Sequence, residues 1–247
     1  MSRFPHPHLT WPQRLIVGAL LLLLVVLIVV LSIRPWRMLP PAWNPWAPLA
    51  VEHAMTPVTR NKLRRLKHAP ASECHAILEQ VPEDQLHFLP LQDYTPVESC
   101  PLTNVIRLHH TSVAFNAPFT VNCPLAVAWV MYEQQALQPI AQRRLGQPVV
   151  GVTHMGAFSC RNIYHRENAR RSEHATASAL DVAAFELRDG RRITVLDGWE
   201  GGRREARFLR EAHEAACDYF GTVLGPDYNA PHADHFHFGT RGLRFCR

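Results

Sequence analysis

Two short segments hold the residues best suited to chemistry: Ser172-Glu173-His174-Ala175-Thr176-Ala177-Ser178-Ala179-Leu180-Asp181 and His232-Ala233-Asp234-His235-Phe236-His237. His174, Asp181 and His237 offer two imidazoles and one carboxylate, a ligand set suited to a catalytic zinc that keeps its fourth position open for water. Such a site can hydrolyse an amide. The seven-residue step from His174 to Asp181 lets a loop and the start of a strand aim both at one point. In an extended strand His235 and His237 face the same way, because side chains alternate with period two. With His237 as the third ligand, His235 stands beside the metal as an electrostatic or proton-transfer group. Asp234, three residues before His237, is the candidate general base. Arg161 is the candidate for holding a substrate carbonyl or carboxylate and stabilising an oxyanion; its competing reading is a plain surface charge.

Other polar residues have simpler readings. His165 and His213 are lone imidazoles, of the surface or satisfied core kind. Ser172 lacks a G-x-S-x-G elbow around it and is expected to cap a local turn rather than attack a substrate. Phe236 and Phe238 interleave the terminal histidines, which implies a packed strand and not a tag-like tail.

Elements able to position these residues are legible around them. Asn122 as cap, Pro124 in the first turn and apolar Leu125, Trp129, Tyr132 and Leu137 predict a helix over Pro124–Gln138, ended or kinked by Pro139. Ala179–Leu187 and Arg191–Leu196 read as strands joined through Asp189-Gly190, a hairpin signal. Glu205–Phe220 reads as a second helix, with Leu209, Ala212, Ala216 and Phe220 on one side and Gly221 at its end. The order implies an α+β domain with flanking helices on an antiparallel sheet, the motif halves lying at strand ends and adjoining loops. The loop Trp199–Arg204 is placed to cover or open a cleft.

Four zones divide the chain: a cytoplasmic tail over 1–13, a membrane segment over 14–33, a Pro/Trp-rich tether over 34–69 and a domain over 70–247. Leu15–Ile33 is nineteen residues without a charge, about the length that crosses a ~30 Å hydrocarbon core. It exceeds the apolar region of a signal peptide and Arg34-Pro35-Trp36-Arg37 follows it directly, so a signal anchor is the reading preferred over a cleaved leader. Six prolines in 34–69 disfavour regular structure, and the tryptophans near the span suit the headgroup level.

Orientation draws conflicting signals. Basic residues from Arg34 to Lys67 would hold the downstream side in the cytoplasm. All six cysteines lie beyond the span and none forms a C-x-x-C pair, which fits three disulfides in an oxidising compartment. Long domains translocate largely regardless of charge, so the cysteines decide for an inner-membrane protein with its C-terminal domain in the periplasm. Six cysteines allow fifteen pairings, and spacing selects none. The net charge of +5 permits contact with an anionic polymer or membrane, but no Arg/Lys–aromatic pattern argues for nucleic acid. On protein partners and oligomeric state the sequence is silent.

Ser172-x-His174-x-x-Ala177-x-Ala179-x-Asp181, followed by His235-x-His237, resembles the signature of the LAS metallopeptidases, the zinc D-Ala-D-Ala carboxypeptidases, dipeptidases and related peptidoglycan endopeptidases. Cys160-Arg161-Asn162, Ser172-Glu173-His174, Ala179-Leu180-Asp181-Val182-Ala183 and His232 through Phe238 resemble more specifically the bacterial extensin-like C-terminal domain family, over roughly Cys74 to Cys246. The resemblance implies a central antiparallel sheet, His174, Asp181 and His237 as zinc ligands, and a cell-wall peptide as substrate. Two positions depart from the peptidase pattern. Ala177 stands where glycine is common, and Asp234 occupies the place of a glutamate. Some related endopeptidases use histidine as base, so His232 is an alternative to Asp234. The expected function is a membrane-anchored zinc peptidase acting on peptidoglycan stem peptides. Two alternatives stand beside it: a non-catalytic envelope-binding module that keeps the fold, and a disulfide-stabilised structural anchor with incidental histidines.

Overall fold

Alternation along Phe236–Gly239 sets the architecture. Phe236 and Phe238 are fully buried, and both point into one aromatic layer. Phe238 stacks on Phe220 at 4.9 Å between ring centres and packs on Tyr132, while Phe236 meets Trp199 and His213. His237 therefore projects from the opposite side of the sheet.

The computed structural model describes residues 10–34 and 38–247. The tail expected over 1–13 lies outside the described residues up to position 9, as do Pro35, Trp36 and Arg37. Helix α1 (Trp11–Ile33) is long and apolar enough to cross a membrane by length and composition, a test that a signal sequence also passes. There follow α2 (Pro57–Arg65), α3 (Ala71–Leu78), strands β1 (His87–Pro90), β2 (Tyr94–Val97), β3 (Cys100–Leu102), β4 (Val105–His110) and β5 (Ala114–Asn122). Next come α4 (Cys123–Tyr132), α5 (Gln138–Leu145), β6 (Val149–Gly156), β7 (Ala179–Leu187), β8 (Arg192–Thr194), α6 (Val195–Gly198) and α7 (Arg203–Ala216). Strands β9 (Thr222–Leu224), β10 (Phe236–Gly239) and β11 (Phe245–Cys246) end the chain.

Among the described residues, one large sheet runs β1-β4-β5-β6-β7-β10-β9-β11, with β8 added to β7; β2 and β3 form a separate ribbon. The fold is mixed α+β with helices beside a sheet. The sheet is not purely antiparallel, because β5 pairs β6 and β9 pairs β11 in parallel. Helices α4 and α7 lie on the aromatic side, joined by the Tyr132 hydroxyl donating to the Ala212 carbonyl at 3.0 Å.

Several elements depart from expectation for identifiable reasons. Asn122 does cap α4, its Oδ1 accepting the Leu125 amide at 3.0 Å. Of the two outcomes expected at Pro139, an end or a kink, the helix does not end there. Residues Glu133–Leu137 adopt a π-helical turn that leads into α5, which has the proline in its first turn. Strand β8 stops at Thr194, whose hydroxyl accepts the Asp197 amide and starts α6. Helix α7 ends at Ala216, because residues 217–219 tighten into i→i−3 bonds.

The largest difference concerns the tether. From residue 49 onward it is fastened to the domain, and residues 41 and 42 bond to its helix α2. Leu49, Val51, Leu63 and Leu66 belong to the main core, and Gln135 donates to the Val51 and His53 carbonyls. Thr56 caps α2 and, with Thr59, donates to the Ala42 carbonyl. Six prolines do not prevent this, since Pro57 falls in a first helical turn, where its missing N–H costs nothing.

Candidate metal centre

Strand pairing brings two of the three candidate ligands face to face. His237 of β10 lies directly opposite Asp181 of β7, and opposed side chains on adjacent strands share a face. His174 arrives from a 3-10 turn, Glu173–Thr176, which opens with the Ser172 hydroxyl accepting the His174 amide at 3.3 Å. Ser172 is thus the local cap its sequence suggests. The turn closes at Ala177 with φ 50°, the left-handed region that favours glycine. The fully buried Ala177 methyl packs beside Leu102 and Val105.

The three side chains converge, with one ligand atom from each lying within 4.8 Å of the others. His174 Nε2 is 3.1 Å from Asp181 Oδ2, His237 Nδ1 is 2.9 Å from Asp181 Oδ1, and the two nitrogens are 3.2 Å apart. Bonds of about 2.0–2.1 Å in a tetrahedron put neighbouring ligand atoms about 3.3 Å apart, so the trio already has the spacing of three tetrahedral corners. The outward nitrogens are engaged as well. His174 Nδ1 lies 3.1 Å from the Ala157 carbonyl, and His237 Nε2 lies 3.4 Å from Glu173 Oε2. With a metal bound, donation outward would leave a lone pair on each inward nitrogen for it; without one, both inward nitrogens face the Asp181 carboxylate.

A family model for the extensin-like protein C-terminus matches residues 72–247. The chain belongs to this family. No curated protein and no solved structure matches it.

Around the trio, the extensin-like domain gathers the remaining candidates. His235 Nε2 stands 3.7 Å from Asp181 Oδ1, while its Nδ1 is 2.8 Å from Asp234 Oδ1. Asp234, half exposed, is thus engaged in orienting His235. His232 packs 5.2 Å from the His235 ring and 5.9 Å from the His237 ring. The Arg161 guanidinium makes no ion pair among the described residues, and its charge reaches His232. Trp199 does not overhang this face, because it packs on Phe236 on the helical side and donates to Asp227 at 2.8 Å.

Electrostatics within the cluster follow from burial and pairing. Burial alone would raise the Asp181 carboxyl; hydrogen bonds from His174 and His237 outweigh it and hold the group well below the usual carboxylate range. Burial opposes charge on His237, but Asp181 and Glu173 reverse this and raise it to about 9. His232 is lowered to about 4, first by burial and then by His235 and His237, so it stays neutral.

Two side chains escaped the sequence reading. Glu173, buried beside His237, also accepts the Arg241 amide at 2.6 Å. A Cβ at Gly239 would fall 2.5 Å from its carboxylate oxygens, so the glycine makes room for it. Asn229 spans from the Tyr164 hydroxyl, to which it donates at 2.7 Å, to His232 Nδ1 at 2.6 Å. Glu173 stands inside the motif as an apparent spacer, and only the 3-10 turn brings it behind His237. No spacing rule marks Asn229.

Proposed function

We propose that this protein is a membrane-anchored zinc peptidase that hydrolyses peptide bonds in peptidoglycan stem peptides or cross-links, on a LAS-like fold. The spacing of His174 Nε2, Asp181 and His237 Nδ1 supports this most strongly, because it suits one tetrahedral cation with a side open. Zinc in such a site supplies Lewis acidity, which polarises a carbonyl and acidifies water.

The chain's own groups supply the rest. Ala157 and Glu173 hold the two imidazoles in ligating orientation. Asp234 accepts the Nδ1 proton of His235 and leaves His235 Nε2 directed at the space over Asp181, where it takes a proton from the attacking water. The proton-accepting role therefore moves from Asp234, the sequence candidate, to the pair it forms with His235. His232, neutral and fixed by Asn229, accepts a hydrogen bond from substrate at its other nitrogen. Arg161 binds a substrate carboxylate or the developing oxyanion. Helix α1 and the three disulfides support placement on the periplasmic side of the inner membrane.

Purified muropeptides incubated with the oxidised full chain and zinc, followed by mass spectrometry of the products, test the reading. Release of amino acids or shortened stems, abolished by chelator and by Asp181→Ala, is the expected result. Stoichiometric zinc without any cleavage would replace the peptidase with a metal-containing binding module.

A further inference from the structure

We infer that the segment Met38–His68 is a lipid-docking surface that seats the domain on anionic headgroups of the membrane in which α1 is anchored. This rests on the anchored part of the proposed function and is independent of its chemistry.

Chain length gives the first observation. Helix α1 ends at Ile33, and the chain is already bonded at Pro41, whose carbonyl accepts Lys62 Nζ at 3.1 Å, and at Ala42 to helix α2, which packs on the domain through Leu63. Seven residue steps from Arg34 to Pro41 span at most about 25 Å. A tether of that length keeps this edge of the domain beside the bilayer.

Surface chemistry at that edge is the second. Residues 38–51 carry no charge, and Met38, Trp43 and Trp46 are 83, 53 and 69% exposed. Exposed tryptophans suit the headgroup layer, where one end of the ring is apolar and the other wet. Residues 52–69 then hold five Lys/Arg against one acid, Glu52. The guanidinium groups of Arg64 and Arg65 have no acidic partner among the described residues. The nearby acid Asp218 is already bound by Arg60 and Arg244. A cationic helix following an interfacial aromatic stretch complements an anionic lipid surface.

Orientation is the third. Helix α2 packs on α4, in the layer that covers the aromatic side of the sheet. Docking through α2 therefore leaves the face of His174, Asp181 and His237 turned away from the lipid, towards substrate that approaches the membrane. The basic residues that conflict with a periplasmic domain under the positive-inside rule acquire a role on the outer surface instead.

Hydrogen exchange of the full chain in nanodiscs tests this, comparing phosphatidylcholine with phosphatidylcholine–phosphatidylglycerol at low and high salt. Amides of 38–48 and 57–68 should exchange more slowly in the anionic discs, by roughly fivefold for each arginine engaged, and salt should erase the difference. Arg64→Glu/Arg65→Glu should return exchange to the phosphatidylcholine level, whereas Arg192→Glu on β8 should not. Equal exchange in both discs with the chain intact overturns the docking surface and leaves the anchored peptidase standing. Recovery from native membranes of a chain lacking residues 1–33 overturns the anchor, and the inference with it.

Discussion

Glu173 touches no substrate in the proposed reaction, yet it decides how His237 stands. Its Oε2 faces His237 Nε2 and its Oε1 takes the Arg241 amide. Glu173→Gln should lower zinc affinity roughly 10–100-fold, as measured by competition with a chromophoric chelator. Gly239→Ala should do the same, since its methyl would displace the Glu173 carboxylate. Asp234→Asn separates roles differently. Zinc content should stay at the parent level while hydrolysis falls roughly 10²–10⁴-fold, because His235 loses the partner that fixes its tautomer. The convergence of His174, Asp181 and His237 was legible because residue type and strand spacing direct all three to one point. Glu173 and Asn229 were not, because their roles depend on a 3-10 turn and on a loop reaching across to Tyr164.

At the scale of elements, α7 carries a titration that the fold must absorb. His213 sits against Phe236 and Trp199, and burial lowers it to about 4 from 6.5, against a smaller opposing pull from Asp227. The unfolded chain takes up this proton near pH 6.5 and the folded one only near 4. Between those values the unfolded state binds more protons, so acid favours unfolding. The contribution is intact above about pH 6.5 and lost by about pH 4, amounting to about 2–3 kcal/mol after allowance for partial exposure. Chemical denaturation across that range should show the fall, and His213→Gln should reduce it, leaving the share of His232, which is lowered over the same range. Strand β10 depends on its aromatic side in turn: Phe238→Ala should cost about 3–5 kcal/mol in the same assay. Helix α4 was readable from Asn122 and Pro124, whose capping is local physics. The π turn before Pro139 and the docking of 41–69 were not, since both are set by tertiary packing that overrides the local signal of proline.

The whole molecule is held together by three cross-links. Cys74–Cys123 ties α3 to the start of α4, Cys100–Cys160 ties the β2–β3 ribbon to the loop preceding the His174 turn, and Cys217–Cys246 ties α7 to β11. An even count beyond α1 announced three bonds, while their pairing emerged only from the fold. Cys100→Ala/Cys160→Ala should lower stability by about 2–5 kcal/mol in urea titration. It should also weaken zinc binding, because Ser159, next to Cys160, donates its amide to the His174 carbonyl.

The most direct test of the central claim is native mass spectrometry of the oxidised full chain after zinc is supplied, beside Asp181→Ala and His237→Ala. One zinc per chain, absent from both variants while their folds persist by circular dichroism, is the expected result. A folded, disulfide-intact chain that takes up no zinc, or variants that retain it, would contradict the assignment of His174, Asp181 and His237 as a metal centre.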